Sequence, residues 1–202
     1  AIKKYKGKPY HIKNKTSEDF VNFVKEYGCK IGVEVGVFKG EFTKMLAQTG
    51  MTLYGIDPWG QFPDYPHTDK EFLEKWESIY REAQENTKDC ANVALIRKTS
   101  MNAAISFPVE SLDFVYIDGN HKFRYIAEDL YEWTKKVKSG GIISGHDYFY
   151  VKSGSGRQSW HVAYVLNAYI AAFNIPNWFL IGSKDYKEGE KRDKWRSWMF
   201  FK

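Results

Sequence analysis

Cysteine is nearly absent from this chain. Cys29 and Cys90 are the two among 202 residues. Two thiols cannot build a disulfide framework, and their spacing is not that of a zinc knuckle, so free thiols in a reducing compartment are expected. A secretory leader pattern is missing, because the lysine-rich first residues lack a following apolar core. An uninterrupted apolar run is missing as well. Residues 158–183 hold no Asp, Glu, Lys or Arg, but Ser159, His161, Asn167, Asn174 and Pro176 interrupt them. The Asn174-Ile175-Pro176-Asn177 turn signal divides that stretch into a helix and a core strand, which argues against a bilayer span. A cytoplasmic protein without membrane partners is the expectation. Repeats and low-complexity linkers are also lacking, and the length suits one α/β domain.

Acid is missing from residues 1–15, where Lys3, Lys4, Lys6, Lys8, Lys13 and Lys15 cluster. Those six lysines exceed the net charge of +5, so the remainder is close to neutral. A nucleic-acid enzyme carries its positive field on the body around its site, so nucleic acid is disfavoured as a partner. The expected organisation is a basic arm over 1–15, solvated or folded over the site, followed by a single domain over 16–202. The arm is expected to be dispensable for folding.

The body carries enough apolar surface for a core, with 43% hydrophobic and 17% aromatic residues. Thr16-Ser17-Glu18-Asp19 opens a helix with Phe20, Phe23, Val24 and Tyr27 on one face, stopped by Gly28. Strands are expected at 31–35, 52–56, 93–96, 112–117 and 142–144. Between them fall helices at 41–48, at Phe72 to Ala83, and from Phe123 to Val137, the last ended by Ser139-Gly140-Gly141. Residues 58–68 hold three prolines and three aromatics and read as a loop. A helix at 160–172, a strand at 178–181, a charged loop at 183–194 and a strand at 195–201 close the chain. Two strands joined by a loop without a helix must be antiparallel. The sum is a Rossmann-like, mostly parallel seven-stranded α/β sheet with a C-terminal antiparallel hairpin.

The phosphate-cradling G-x-G-x-x-G of dinucleotide sites is another absence. In its place stands Glu34-x-Gly36-x-x-x-Gly40, and Asp57 ends the next strand about 20 residues on, the separation of an acid that holds ribose hydroxyls. A carboxylate at Glu34 repels a pyrophosphate and favours a cationic ligand. Ligands in open parallel sheets sit beyond the strand carboxyl ends. Those ends carry Glu34 and Gly36, then Asp57-Pro58-Trp59, Thr99-Ser100-Met101, Asp118-Gly119-Asn120-His121 and Gly145-His146-Asp147-Tyr148. A lone acid after a strand is usually a helix cap. Four such ends in register point to a site.

Four motifs occur in order: Val33-Glu34-Val35-Gly36, Gly55-Ile56-Asp57-Pro58-Trp59, Ile117-Asp118-Gly119-Asn120-His121, and Gly140-Gly141 followed by His146-Asp147-Tyr148. Over 31–148 the chain resembles the class I S-adenosylmethionine-dependent methyltransferases of family 24, which are related to metal-dependent small-molecule O-methyltransferases. The resemblance implies S-adenosylmethionine as cofactor. Glu34 and Gly36 would line its methionine end, Asp57 would hold the ribose, and Thr99, Ser100 and Met101 would meet the adenine edge. Trp59 would cover the adenine or pack in the core. By position, Asp118, His146 and Asp147 would hold a divalent metal, Mg²⁺ or Mn²⁺. His121, next to Asp118, falls where the related enzymes keep a general base. Nitrogen at His146 suits Mn²⁺, Fe²⁺ or Zn²⁺ better than Mg²⁺. Either His121 is the base beside a metal, or the metal is absent and His121 and His146 act alone. His11, His67 and His161 default to surface or core roles.

The implied reaction is methyl transfer to a small-molecule acceptor, most readily a hydroxyl, and a homodimer is compatible with it. Acceptor specificity is expected in the 58–68 loop, the arm and the 152–158 loop. The alternatives are a nucleic-acid methyltransferase and a non-catalytic cofactor-binding partner subunit. The Asp/Asn-Pro-Pro-aromatic tetrapeptide of amino-methylating DNA enzymes is lacking, and the retained histidines argue against loss of catalysis. A nicotinamide oxidoreductase is disfavoured by the loop spacing and the hairpin.

Overall fold

The computed structural model describes residues 8–13, 15–60, 69–150, 160–182 and 196–202. Residues 1–7 of the basic arm, 61–68 of the aromatic loop, the 152–158 loop, the 183–194 loop and Trp195 lie outside them.

Local signals place the first helix, α1 (Ser17–Tyr27), as expected. Thr16 accepts from the Asp19 amide, Asp19 takes the Thr16 amide at 3.0 Å, and Gly28 closes the helix at φ 85°. Such a reciprocal cap satisfies two of the four orphan donors at a helix start. A strand β1 (Tyr10–Ile12) precedes it. Then come β2 (Ile31–Val35), α2 (Glu41–Ala47), β3 (Thr52–Asp57), α3 (Lys70–Thr87), β4 (Val93–Arg97) and α4 (Ser100–Ala104). The chain continues through β5 (Leu112–Ile117), α5 (Phe123–Lys136), β6 (Val137–Gly145), α6 (Val162–Ala172), β7 (Trp178–Ile181) and β8 (Ser197–Phe201). The sheet order is β1-β7-β8-β6-β5-β2-β3-β4. β8 runs antiparallel between β6 and β7, and the other pairs are parallel.

Three features depart from the expected seven strands. β1 is an eighth, drawn from the lysine-rich arm. Tyr10 stacks on Phe179 with ring centroids 5.5 Å apart, and the three residues pair with the outer edge of β7. Three residues are too few for a readable alternation, and pairing covers an edge that would otherwise stay open. The short α4 is a second addition, nucleated by Thr99, whose hydroxyl caps the Asn102 amide. Third, β6 begins at Val137 straight out of α5. The Gly140-Gly141 pair is part of that strand, with Gly140 at φ 80° and a register shift against β5. Glycine here marks a bulge within the strand.

Strand alternation sends side chains to two cores. Val33, Val35, Val115 and Ile117 pack with Ile126, Leu130 and Trp133 of α5 and with α6. Leu53, Phe114 and Tyr116 face the other way, under Phe20 and Val24 of α1 and Leu46 of α2. From β2 the chain moves outward through β3 and β4, then returns to β5 on the other flank of β2. Carboxyl ends diverge at such a reversal and leave a crevice. Among the described residues no helix is long and apolar enough to cross a membrane.

Candidate functional site

A cavity of about 1410 Å³ opens at that reversal, lined by residues from the ends of β2, β3, β4, β5 and β6. Its first wall is the turn after β2. Gly36 sits at φ 92°, and a Cβ there would stand 2.2 Å from the Asp118 carbonyl oxygen. No other residue type fits, so glycine brings the β2 turn against the β5 turn. Phe38 follows in the left-handed region at φ 52° and leaves its ring half exposed in the cavity.

Asp57 holds this turn. Its Oδ2 accepts from the amides of Val37 and Phe38 at 3.1 and 3.0 Å, and Oδ1 accepts from the Trp59 amide at 2.8 Å. Burial raises its pKa, against the pull of these three donors. Three amides leave room on the carboxylate for one more donor facing the cavity. Trp59 does not cover a ligand. It is completely buried, packs on Tyr80 at 4.6 Å and donates its indole N–H to the Phe38 carbonyl. Packing against Ile79 and Ala83 won because the left-handed backbone at Trp59 turns the ring inward.

Glu34 is likewise buried, and it lies outside the cavity lining. Strand alternation sends it to the α2 side, by Thr43, opposite Val33 and Val35. Burial pushes its carboxyl up to about 8, with Asp118 and Asp57 adding to the rise. That rise favours the neutral carboxyl and weakens the expected attraction of a cation to Glu34. Thr99, Ser100 and Met101 reach the cavity as expected. Thr99 spends its hydroxyl on the α4 cap, and Ser100 donates to the buried Asp129.

At the other end of the cavity, Asp118, His121 and Asp147 each bring a ligand atom within 4.8 Å of one another. His121 Nε2 lies 2.6 Å from Asp147 Oδ2 and 3.7 Å from Asp118 Oδ1. His146, expected as a ligand, stands further back, with Nδ1 3.3 Å from Asp147 Oδ1 and 3.9 Å from Asp118 Oδ2. His121 thus lies nearer the two carboxylates than His146 does. In the β6 turn Asp147 adopts φ 60°, and the His146 carbonyl accepts from the Trp198 indole at 3.0 Å.

Burial works against a charge on His121, but the carboxylates of Asp118 and Asp147 outweigh it and push the imidazole up to about 9. Asp147 falls to about 2 for the reciprocal reason, its own burial opposing the drop. Burial raises Asp118, with His121 countering. Held between two carboxylates, the His121 imidazole favours its protonated form. His121 Nε2 and Asp147 Oδ1 are buried without a hydrogen bond of proper geometry among the described residues. Two carboxylates and an imidazole with ligand atoms this close could hold a divalent cation.

Several residues at or beside the site carried no motif. Trp160 stacks on His121 at 4.7 Å and 17°. His161, read as a bland residue, ties α6 to this turn: its amide donates to the His121 carbonyl at 2.8 Å, and its Nδ1 accepts from the Phe123 amide. Asp129 had a readable signal. Spacing places it with Ile126, Leu130 and Trp133 on the buried face of α5, where an acid is out of place.

A family model described as a methyltransferase domain matches residues 33–148, more than half of the chain. A curated relative, Uncharacterized protein R132 of Acanthamoeba polyphaga mimivirus, is 25% identical over 149 residues, 70% of this chain and 62% of its own length. This chain thus spans under two thirds of that relative. Among solved structures, an O-methyltransferase from Bacillus cereus in complex with SAH matches with TM-score 0.65 at 16% identity, over 92% of this chain and 80% of that one. The O-methyltransferase TomG from Streptomyces achromogenes, in complex with SAM, matches with TM-score 0.60 at 13% identity, over 92% and 78%. An rRNA methylase from Streptococcus thermophilus matches with TM-score 0.57 at 13% identity, over 91% and 93%.

Proposed function

The chain belongs to methyltransferase family 24 of the class I S-adenosylmethionine-dependent enzymes, and from that premise we propose that it methylates a hydroxyl of a small molecule with the help of a divalent cation. The observation that carries this reading is the convergence of Asp118, His121 and Asp147 at one end of the cavity. Two carboxylates and one imidazole, with ligand atoms left unaligned toward each other, fit a divalent cation, and the mixed oxygen and nitrogen set suits Mn²⁺ or Fe²⁺ better than Mg²⁺. A cation bound there supplies Lewis acidity that lowers the pKa of the acceptor hydroxyl.

The chain's own groups do the rest. The turn from Gly36 to Phe38 and the Asp57 carboxylate cradle the cofactor. Trp160, stacked on His121, walls the acceptor end against water. With His121 engaged as a ligand, His146 is the group left to take the acceptor's proton. Its Nδ1 lies 3.3 Å from Asp147 Oδ1, and the ring lines the same end of the cavity.

A small acceptor is favoured over RNA by charge, since the body is near neutral outside the lysine-rich first residues. The test is methyl transfer from labelled S-adenosylmethionine to phenol and sugar acceptors and to structured RNA, with and without chelator and Mn²⁺. Transfer to a small acceptor that chelator abolishes and Mn²⁺ restores is the expected result. Full activity in excess chelator removes the cation, and transfer to RNA alone overturns the acceptor class.

A further inference from the structure

α6 begins on a residue whose side chain serves a different helix. His161 occupies the N-cap position of α6, yet its ring makes no capping bond to that helix. Its Nδ1 instead accepts from the amide of Phe123, the first residue of α5, at 3.1 Å. Lys122, the N-cap residue of α5, offers no side-chain cap, so this amide is one of the donors that a helix start leaves without a partner. The backbone N–H of His161 donates to the His121 carbonyl at 2.8 Å. One residue therefore grips the chain on both sides of Lys122, and its neighbour Trp160 stacks on the His121 ring at 4.7 Å.

A grip of this kind places a side chain only if the element that provides it is itself fixed. α6 buries Val162, Ala163, Val165, Leu166 and Ile170 in the core. Further along the helix, the Asn167 amide nitrogen donates to the Tyr148 and Tyr150 hydroxyls at 2.9 and 2.8 Å. Those tyrosines follow Asp147 directly at the exit of β6. α6 thus holds both the turn that carries His121 and the segment that follows Asp147, and His121 Nε2 meets Asp147 Oδ2 at 2.6 Å between them. His121 itself lies in the turn between β5 and α5, outside both elements. Its place is therefore set by what holds that turn.

We propose that His161 is a positioning residue for His121, its ring holding the turn so that the His121 imidazole faces Asp118 and Asp147. The inference rests on the reading of those three residues as a cation site. A ligand side chain whose backbone is already held gives up little freedom on binding, so losing the grip weakens the site while its ligand atoms all remain. The backbone bond to the His121 carbonyl survives any non-proline substitution at 161, which leaves the Nδ1 contact as the part that a variant removes.

Asparagine separates this role from a general loss of structure. Its Oδ1 is bonded to Cγ as the histidine Nδ1 is, and it accepts an amide hydrogen from the same place, whereas the glutamine oxygen stands one bond further out. The experiment is calorimetric titration of the folded full chain with Mn²⁺ and, separately, with S-adenosylhomocysteine, for wild type, His161→Ala, His161→Gln and His161→Asn. H161A is expected to bind Mn²⁺ about 10- to 100-fold more weakly, the range for residues that orient metal ligands, while its affinity for S-adenosylhomocysteine stays within about threefold of wild type. H161N is expected to restore Mn²⁺ affinity to within about threefold, and H161Q is not. Wild-type Mn²⁺ affinity in H161A overturns the proposal, as does a parallel loss of both ligands or a failure of H161N to restore the cation. Should H161A not fold, H161Q is titrated in its place, and wild-type Mn²⁺ affinity there overturns it equally. Wild type that binds S-adenosylhomocysteine but no Mn²⁺ refutes the cation site itself, and the positioning role with it.

Discussion

Asp147→Asn in chelator-treated protein tests the electrostatics of the site directly. Asn tolerates the left-handed backbone at φ 60° as well as Asp does, so the change removes charge without backbone strain. His121 is held at about 9 in the folded state against its ordinary 6.5. The folded protein therefore binds more protons than the unfolded chain between these values, and stability falls as pH rises through that window. The contribution is fully present below pH 6.5 and gone above about 9. Taken from the histidine, the shift amounts to about 3 kcal/mol, and taken from the drop of Asp147, to about 2 kcal/mol. These are two views of one interaction, counted once. The lower figure is the better guide, because Asp118 also holds the histidine and a quarter of the His121 side chain meets solvent. A loss of about 2 kcal/mol corresponds to roughly 4–8 °C in Tm for a chain of this size. Denaturant titrations at pH 6 and pH 9.5 should show that loss in wild type, and D147N should flatten most of it while being less stable at pH 6. A wild-type profile that is level between those pH values, or a slope that survives intact in D147N, would refute the assignment.

S-adenosylhomocysteine should raise the melting temperature and NAD should not; at 100 times its dissociation constant the gain is about 2.7 kcal/mol, and thermal shift decides it. Gly36→Ala places a methyl against the Asp118 carbonyl at a positive φ, so a loss of several kcal/mol or of cofactor binding is expected, of the order of the strain and overpacking costs combined; calorimetry finding wild-type affinity would show that the turn can open. His146→Ala should lower turnover by about 10²–10⁴ with cofactor affinity nearly unchanged, measured by single-turnover transfer, and wild-type turnover would remove it as the base. Truncation before Lys8 should leave Tm unaltered, whereas truncation through Lys13 uncovers the β7 edge and should promote aggregation, followed by light scattering; identical behaviour of the two would make β1 dispensable.

The sequence by itself determined the repeating strand and helix order, the parallel sheet with its terminal hairpin, and which turns border the cavity, because periodicity, caps and the four ordered motifs are local properties of the chain. Gly36, Asp57, Ser100, Met101, Asp118, His121 and Asp147 all border the cavity as their positions at strand ends require. Which way each side chain turns was decided only in three dimensions. Trp59 packs inward against α3, and alternation buries Glu34 behind the sheet, which raises its pKa. How near His121 and His146 come to Asp118 and Asp147 depends on the meeting of the β5 and β6 turns, and the place of Asp129 on how α5 lies over Ser100. β1 became a strand because an open edge lay within its reach. Burial and the approach of segments distant in sequence set the charge and direction of a polar group, and neither is written in the local pattern that positions it.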